Sequence, residues 1–186
     1  MIHYMTNVIA TLVLAINPVD APAGMVRPAY DQIMMPVDDW KILNEGNYSI
    51  SYPAGWQLDQ SKAMGTTFVL FARGTEAGTF RENVNLMIQD LTGMGLDLDK
   101  FVQMSEQQFK TMITNGKLIS SKRLKDRGEY QEIVATGTQG VMDLKFKQYY
   151  WVRDNKAYVL TFTALQSTYD AYAELAGKVM NTFKVK

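Results

Sequence analysis

Apolar and polar residues alternate along most of the chain after position 47, and in two places the period of that alternation changes. Tyr48-Ser49-Ile50-Ser51-Tyr52 alternates strictly and then meets Pro53-Ala54-Gly55-Trp56, which predicts a half-buried strand ending in a turn. Thr66–Ala72, rich in β-branched and aromatic residues, predicts a second strand. After a loop at Gly74–Gly78, Val84, Leu86 and Ile88 alternate with Asn83, Asn85, Met87 and Gln89 in a third. From Leu98 to Asn115 the period is helical. Leu98, Phe101, Val102, Phe109, Met112 and Ile113 form one stripe, Asp97 or Asp99 offers an N-cap, and Gly116 offers a C′ residue. Four strands follow, at about Leu118–Lys125, Glu129–Thr138, Val141–Arg153 and Ala157–Leu165. Their turns fall at Asp126-Arg127-Gly128, Gly137–Gly140 and Asp154-Asn155-Lys156. Ser167 or Thr168 then caps a last helix whose stripe is Tyr172, Ala176, Val179, Met180 and Phe183.

No strand–helix–strand repeat occurs, which argues against a doubly wound parallel sheet. The order predicts an α+β domain, an antiparallel β-sheet of about six or seven strands packed by helices on its faces. The hairpin of the last two long strands can be read further. Leu144, Phe146, Tyr150 and Val152 share one face of the first strand, and Tyr158, Leu160, Phe162 and Ala164 share one face of the second. A three-residue loop at Asp154–Lys156 would bring both sets to the same side. The opposite side then carries Lys145, Lys147, Tyr149, Trp151, Thr161 and Thr163. Such a side is either a solvated or helix-covered sheet face, or a surface for a partner, where Trp and Tyr are enriched.

The N-terminal residues follow a different pattern. Val8–Ile16 is an apolar run of nine, too short to span a bilayer, which takes roughly 20 residues. It suits the apolar region of a secretory signal, and Ala21-Pro22-Ala23 offers a cleavage pattern, although Met1–Asn7 contains no Lys or Arg. The alternative is a retained segment that packs on this domain or docks on neighbouring chains. Four of the five prolines, Pro18, Pro22, Pro28 and Pro36, fall before the domain, and proline breaks both helices and central strands. The division expected is an apolar segment over 1–24, a proline-rich linker over 25–37, and one domain over 38–186.

Composition narrows the chemistry. There is no cysteine, and the one histidine is His3, outside the expected domain. Disulfides, thiolate nucleophiles, Cys-ligated metals and lipid-anchor cysteines are excluded, and His-based acid–base catalysis would have to come from a tail. Nineteen basic residues balance nineteen acidic ones, so nothing points to a nucleic acid. No phosphate-binding glycine motif opens a helix, and Asp97-Leu98-Asp99 does not continue as an EF-hand loop. Serines such as Ser120 and Ser121 lack a histidine base. Lys117, Lys122, Arg123, Lys125 and Arg127 cluster beside Asp126 and Glu129, which reads as a lysine-guarded edge strand or an anion-facing patch. Tyr52, Trp56, Phe68 and Phe71 read as core, or as the lining of a pocket.

A family resemblance rests on several short stretches. Trp40-Lys41 leads to Asn47-Tyr48-Ser49-Ile50-Ser51-Tyr52-Pro53 and Gly55-Trp56. Arg81-Glu82-Asn83-Val84-Asn85-Leu86 follows, then Tyr149-Tyr150, Tyr158-Val159-Leu160-Thr161-Phe162-Thr163 and Asn181-Thr182-Phe183-Lys184. Over residues 38–186 the chain resembles bacterial PsbP-like proteins. The resemblance implies an antiparallel sheet between helices. It also implies accessory or binding roles, as in the extrinsic lumenal subunit of photosystem II, a Ran-binding protein of the same fold, and a bacterial envelope lipoprotein. The lipoprotein cysteine is absent, and no residues match a photosystem metal site, so neither lipid anchoring nor calcium or manganese carries over.

The functional expectation is a non-enzymatic accessory or binding protein with no cofactor, acting on another protein or protein complex. Peripheral membrane association is compatible with it, whereas a transmembrane span and nucleic acid are not expected. The location is extracytoplasmic if the N-terminal segment is an export signal, and cytoplasmic if it is retained. Alternatives are a structural subunit docking through that segment, or a small-molecule or lipid binder. The expected partner surface comprises Tyr149, Trp151, Lys145, Lys147, Lys122, Arg123 and Lys125.

Overall fold

The structure, a computed structural model, describes residues 39–73 and 80–186. The expectations for residues 1–24, the linker 25–37, His3 and the Gly74–Gly78 loop lie outside the described residues. Among the described residues thirteen elements are present, one of them a single 3-10 turn at Ala63–Gly65. The strands are β1 (Trp40–Asn44), β2 (Tyr48–Pro53), β3 (Gln57–Asp59), β4 (Phe68–Phe71) and β5 (Asn83–Asp90), followed by helix α1 (Leu98–Met112). Then come β6 (Thr114–Leu124), β7 (Tyr130–Gln139), β8 (Met142–Arg153) and β9 (Lys156–Leu165), helix α2 (Tyr169–Asn181) and β10 (Lys184–Val185). A seven-stranded sheet has the order β3-β4-β5-β9-β8-β7-β6, and a small sheet has the order β1-β2-β10. Every pairing between these strands is antiparallel. The α+β class and the antiparallel sheet are as the sequence predicts.

The β8–β9 hairpin corrects the expected register. Its turn is the two residues Asp154 and Asn155, with φ of 50° and 54°, and Lys156 already pairs with Arg153. Positive φ at both central residues is the geometry that matches strand twist in tight hairpins. One residue fewer in the loop inverts which faces meet. Trp151 therefore lies opposite Tyr158 and Tyr149 opposite Leu160, while Phe146 lies opposite Thr163. The two apolar sets expected on one side are on opposite sides, so the large sheet has a core on each.

On one side Leu144, Phe146, Tyr150, Ala157 and Val159 pack under α1. Asp97 caps this helix, its carboxylate accepting the Lys100 backbone N–H at 2.9 Å. Phe101 and Phe109 meet Tyr150 and Phe146 edge to face, with ring centroids 5.6 Å and 6.1 Å apart. On the other side Tyr149, Trp151, Tyr158, Leu160, Phe162 and Ala164 pack with α2 and with Tyr48, Ile50 and Tyr52 of the small sheet. Tyr52, Trp56 and Phe68 belong to this core, whereas Phe71 faces the α1 side beneath the Arg81 guanidinium.

Two helix ends differ from expectation. Helix α1 stops at Met112, and β6 starts at Thr114. The left-handed residue at this joint is Asn115, at φ 54°, rather than Gly116. At the start of α2, Thr168 occupies the N-cap, but its side chain caps nothing. Its hydroxyl donates instead to Glu82 Oε1 at 2.5 Å and to the Leu165 carbonyl at 3.3 Å.

Glu82 is a buried carboxyl, 4% exposed, and burial pushes its pKa up despite the Thr168 hydrogen bond. A carboxyl with a raised folded-state pKa holds its proton better in the folded than in the unfolded chain. Its contribution to stability is complete below the ordinary Glu range and is lost as pH rises through the folded-state value. Glu82→Gln keeps an acceptor for Thr168 and removes the titration. The stability of Glu82→Gln relative to the parent is therefore expected to rise between pH 4 and pH 7, measured as the difference between paired urea-unfolding curves. A constant difference refutes the assignment.

Candidate functional site

Three strands of the large sheet present an open face on the α2 side. Pairing sets its rows from β6 through β7 to β8: Lys122–Glu132–Tyr149, Ser120–Val134–Lys147 and Lys117–Thr136–Lys145. Helix α2 packs on β9, β5 and β2, so its body does not extend over β6 and β7. Ser120, Val134 and Thr136 are accordingly half-buried rather than enclosed. Four lysines stand on this face against two carboxylates, Glu132 and, in the next row beside Thr138, Asp143.

The inner lysines are tethered. Lys147 Nζ lies 3.1 Å from Glu132 Oε2 and 5.4 Å from the centroid of the Tyr149 ring. Burial opposes the Lys147 charge, but the Glu132 hydrogen bond and charge, with help from Tyr149, outweigh it and hold the amine above its ordinary pKa. Lys145 Nζ sits 4.0 Å over the Tyr169 ring and 3.6 Å from Asp170, at the start of α2. The outer pair, Lys117 and Lys122, is exposed, and among the described residues neither meets a carboxylate.

The residues expected to form a partner surface therefore divide. Lys122, Lys145 and Lys147 share the open face, and Lys117 joins them. Tyr149 and Trp151 do not provide exposed aromatics, being 2% and 6% exposed, because the two-residue turn rotates them into the α2 core. Arg123 projects to the α1 side. There it binds Asp99 at 2.5 Å, Glu129 at 3.2 Å and the Gln131 side chain at 2.9 Å, tying β6 to the first turn of α1. Lys125, just past the end of β6, pairs with Glu129 at 3.7 Å.

Sequence reading missed a second place. A cleft of about 270 Å³ opens at the other end of β8, lined by Arg127, Trp151, Arg153, Asn181, Phe183, Lys184 and Val185. Its floor is aromatic, with the Trp151 and Phe183 rings 5.1 Å apart and Tyr130 stacked on Trp151 at 5.1 Å. Arg127 lies over the Tyr130 and Tyr149 rings, donates to the Tyr130 hydroxyl and the Met180 carbonyl, and pairs with Asp126. These residues come from a turn, a strand end, a helix end and the last strand, so no spacing along the chain marks them. Among the described residues, no three of His, Cys, Asp or Glu converge as metal ligands would. Among them, too, no helix is long and apolar enough to cross a membrane.

Comparison with solved structures shows the fold. The chain superposes on cyanobacterial PsbP (CyanoP) from Synechocystis sp. PCC 6803 with a TM-score of 0.62, at 15% identity, covering 91% of this chain and 100% of that one. LpqN, involved in cell envelope biogenesis of Mycobacterium tuberculosis, superposes with a TM-score of 0.56 at 12% identity, covering 80% of this chain and 91% of that one. PA94 from Pseudomonas aeruginosa, a protein of unknown function, gives a TM-score of 0.56 at 11% identity, covering 77% and 94%. No family model matches the sequence, and no curated protein matches it. The chain has the PsbP-like fold.

Proposed function

We propose that this chain is a non-enzymatic accessory protein that works outside the cytoplasm and binds an acidic surface of a protein partner through the open face of β6–β8. One observation carries the reading. Among the described residues, Lys117 and Lys122 stand without carboxylates on a sheet face that neither described helix covers, next to two further lysines that the fold holds in place. Exposed, uncompensated charge of one sign raises association rates and selects partners of the opposite sign. The fold neighbours support an accessory role, since one is a PsbP and another is involved in cell envelope biogenesis. Fold likeness bears on function by analogy, so the lysine face carries the argument.

The test is charge reversal at the two outer lysines. Lys117→Glu with Lys122→Glu is expected to leave the melting temperature nearly unchanged, because both side chains are exposed. Partner cross-links made by the parent protein in its native source, identified by mass spectrometry, are expected to disappear and to weaken with salt in the parent. Unchanged cross-links in the reversed variant would sink the proposal. Export is tested separately by N-terminal sequencing of native protein, where a mature start near Gly24 supports it and a retained Met1 opposes it.

A further inference from the structure

We infer that the cleft at the end of β8 is a binding site for a carboxylate carried on a short apolar or aromatic body. The site is distinct from the lysine face, which lies toward the opposite end of the same strand. Its polar lining is donor-rich and contains no Asp or Glu.

The structural duties of each donor show what is left over. Arg127 has structural duties on all three of its nitrogens: it answers Asp126, the Tyr130 hydroxyl and a carbonyl of the last turn of α2. Arg153 spends one amino group on the Val185 carbonyl at 3.2 Å, which fastens β10 to the hairpin end, and has no carboxylate partner among the described residues. Asn181 uses its Oδ1 to accept the Tyr149 hydroxyl at 3.1 Å, which leaves its amide N–H groups as donors. Among the described residues the Lys184 amine pairs with no carboxylate, and neither it nor the Trp151 indole N–H has a hydrogen-bond acceptor. Arg153, Lys184, Asn181 and Trp151, each a carrier of N–H groups, thus line one small space.

Chemistry selects the ligand. A cleft that offers donors and net positive charge favours an anionic acceptor. A planar guanidinium matches the two oxygens of a carboxylate, and such charge-assisted bonds are roughly twice as strong as neutral ones. The Trp151 and Phe183 rings and Val185 supply an apolar floor for the rest of the molecule. At about 270 Å³ the cleft is smaller than the usual drug-sized pocket, which suits a short acid or the last residue of a peptide. The same carboxylate chemistry could reach the cleft from a free organic acid or from the C-terminus of a polypeptide.

The experiment follows the indole 15N–1H resonance of Trp151, assigned by its loss in Trp151→Phe. Two carboxylates, phenylacetate and acetyl-alanyl-phenylalanine, are titrated beside their neutral amides. At least one carboxylate is expected to shift the signal saturably, with its amide binding about tenfold more weakly. Saturation by the free acid alone identifies a small-molecule site, and saturation by the peptide alone identifies a C-terminus site; either supports the inference. Lys184→Gln, at an exposed position, and Arg153→Gln are each expected to weaken binding several-fold, with Arg153→Lys recovering part of the loss. The inference is overturned if neither carboxylate saturates the signal. It is equally overturned if acids and amides bind alike, or if Lys184→Gln leaves affinity unchanged. None of these outcomes depends on the lysine face, so the two proposals fail or stand separately.

Discussion

Trp151→Ala is expected to lose about 3–5 kcal/mol of folding stability, the usual cost of removing a buried large aromatic. Trp151 is 6% exposed and sits among Tyr130, Tyr149 and Phe183, with ring centroids 5.1 Å, 5.9 Å and 5.1 Å away. Truncation removes the floor of the cleft and the surface against which Phe183 brings the C-terminal strand into place. Aromatic contacts of this kind add about 0.5–1.5 kcal/mol beyond the area they bury. Urea unfolding of the parent and variant measures the effect. The same substitution at an exposed partner surface would stay within about 0.5 kcal/mol, so the measurement also decides which side of the hairpin Trp151 occupies.

Gly116→Ala is expected to cost about 1–3 kcal/mol, for a reason unrelated to backbone angles. A Cβ at position 116 would stand 2.7 Å from the Phe109 carbonyl oxygen and 2.9 Å from that of Ile113, and both are backbone atoms with little room to retreat. The close approach arises because the Gly116 N–H bonds to the Ile113 carbonyl as the chain leaves α1 and enters β6. Asn115, at φ 54°, supplies the left-handed residue of this joint. Asn115→Gly is therefore expected to be nearly neutral by thermal melting, while Gly116→Ala lowers the melting temperature. Equal effects at the two positions would refute this division of labour.

Gly116 shows how much of the fold was legible in the chain. A glycine after a helical stripe was expected to mark the end of α1, but the helix stops at Met112 and Gly116 lies inside β6, where its role is space rather than φ, and only the neighbouring carbonyls reveal that. The long strands β5, β7, β8 and β9 were legible because alternation persists over many residues and outweighs local propensity. Strands β1, β3 and β10 span five, three and two residues. Segments that short carry too few alternations to register, and they exist because a partner strand was available to pair with them. Thr168 was recognised as a cap position, yet its hydroxyl serves Glu82, 86 residues away in the chain.

The candidate sites were legible to different degrees. Lys145 and Lys147 were singled out by alternation and Lys122 by the clustering of basic residues, and pairing then placed the three on one face with Lys117. Arg123 differs from Lys122 by one position and therefore faces the other way, toward Asp99 at the start of α1. The cleft was not legible at all. Arg153 bonds the Val185 carbonyl and shares the cleft with Lys184 only because β10 returns beside the end of the hairpin, and no local pattern encodes that return.

By itself the sequence determined that β8 and β9 each carry two unlike faces, that helices follow β5 and β9, and that no cysteine or histidine enters the described part of the molecule. Those are properties of composition and period, which every conformation of the chain shares. Only the tertiary structure decided which face of β8 meets which face of β9. Side chains alternate with a period of two, so a two-residue turn in place of a three-residue one exchanges inside and outside along the whole hairpin. That single residue moved Tyr149 and Trp151 from an expected surface into a core and left the lysines beside them as the exposed feature of that face.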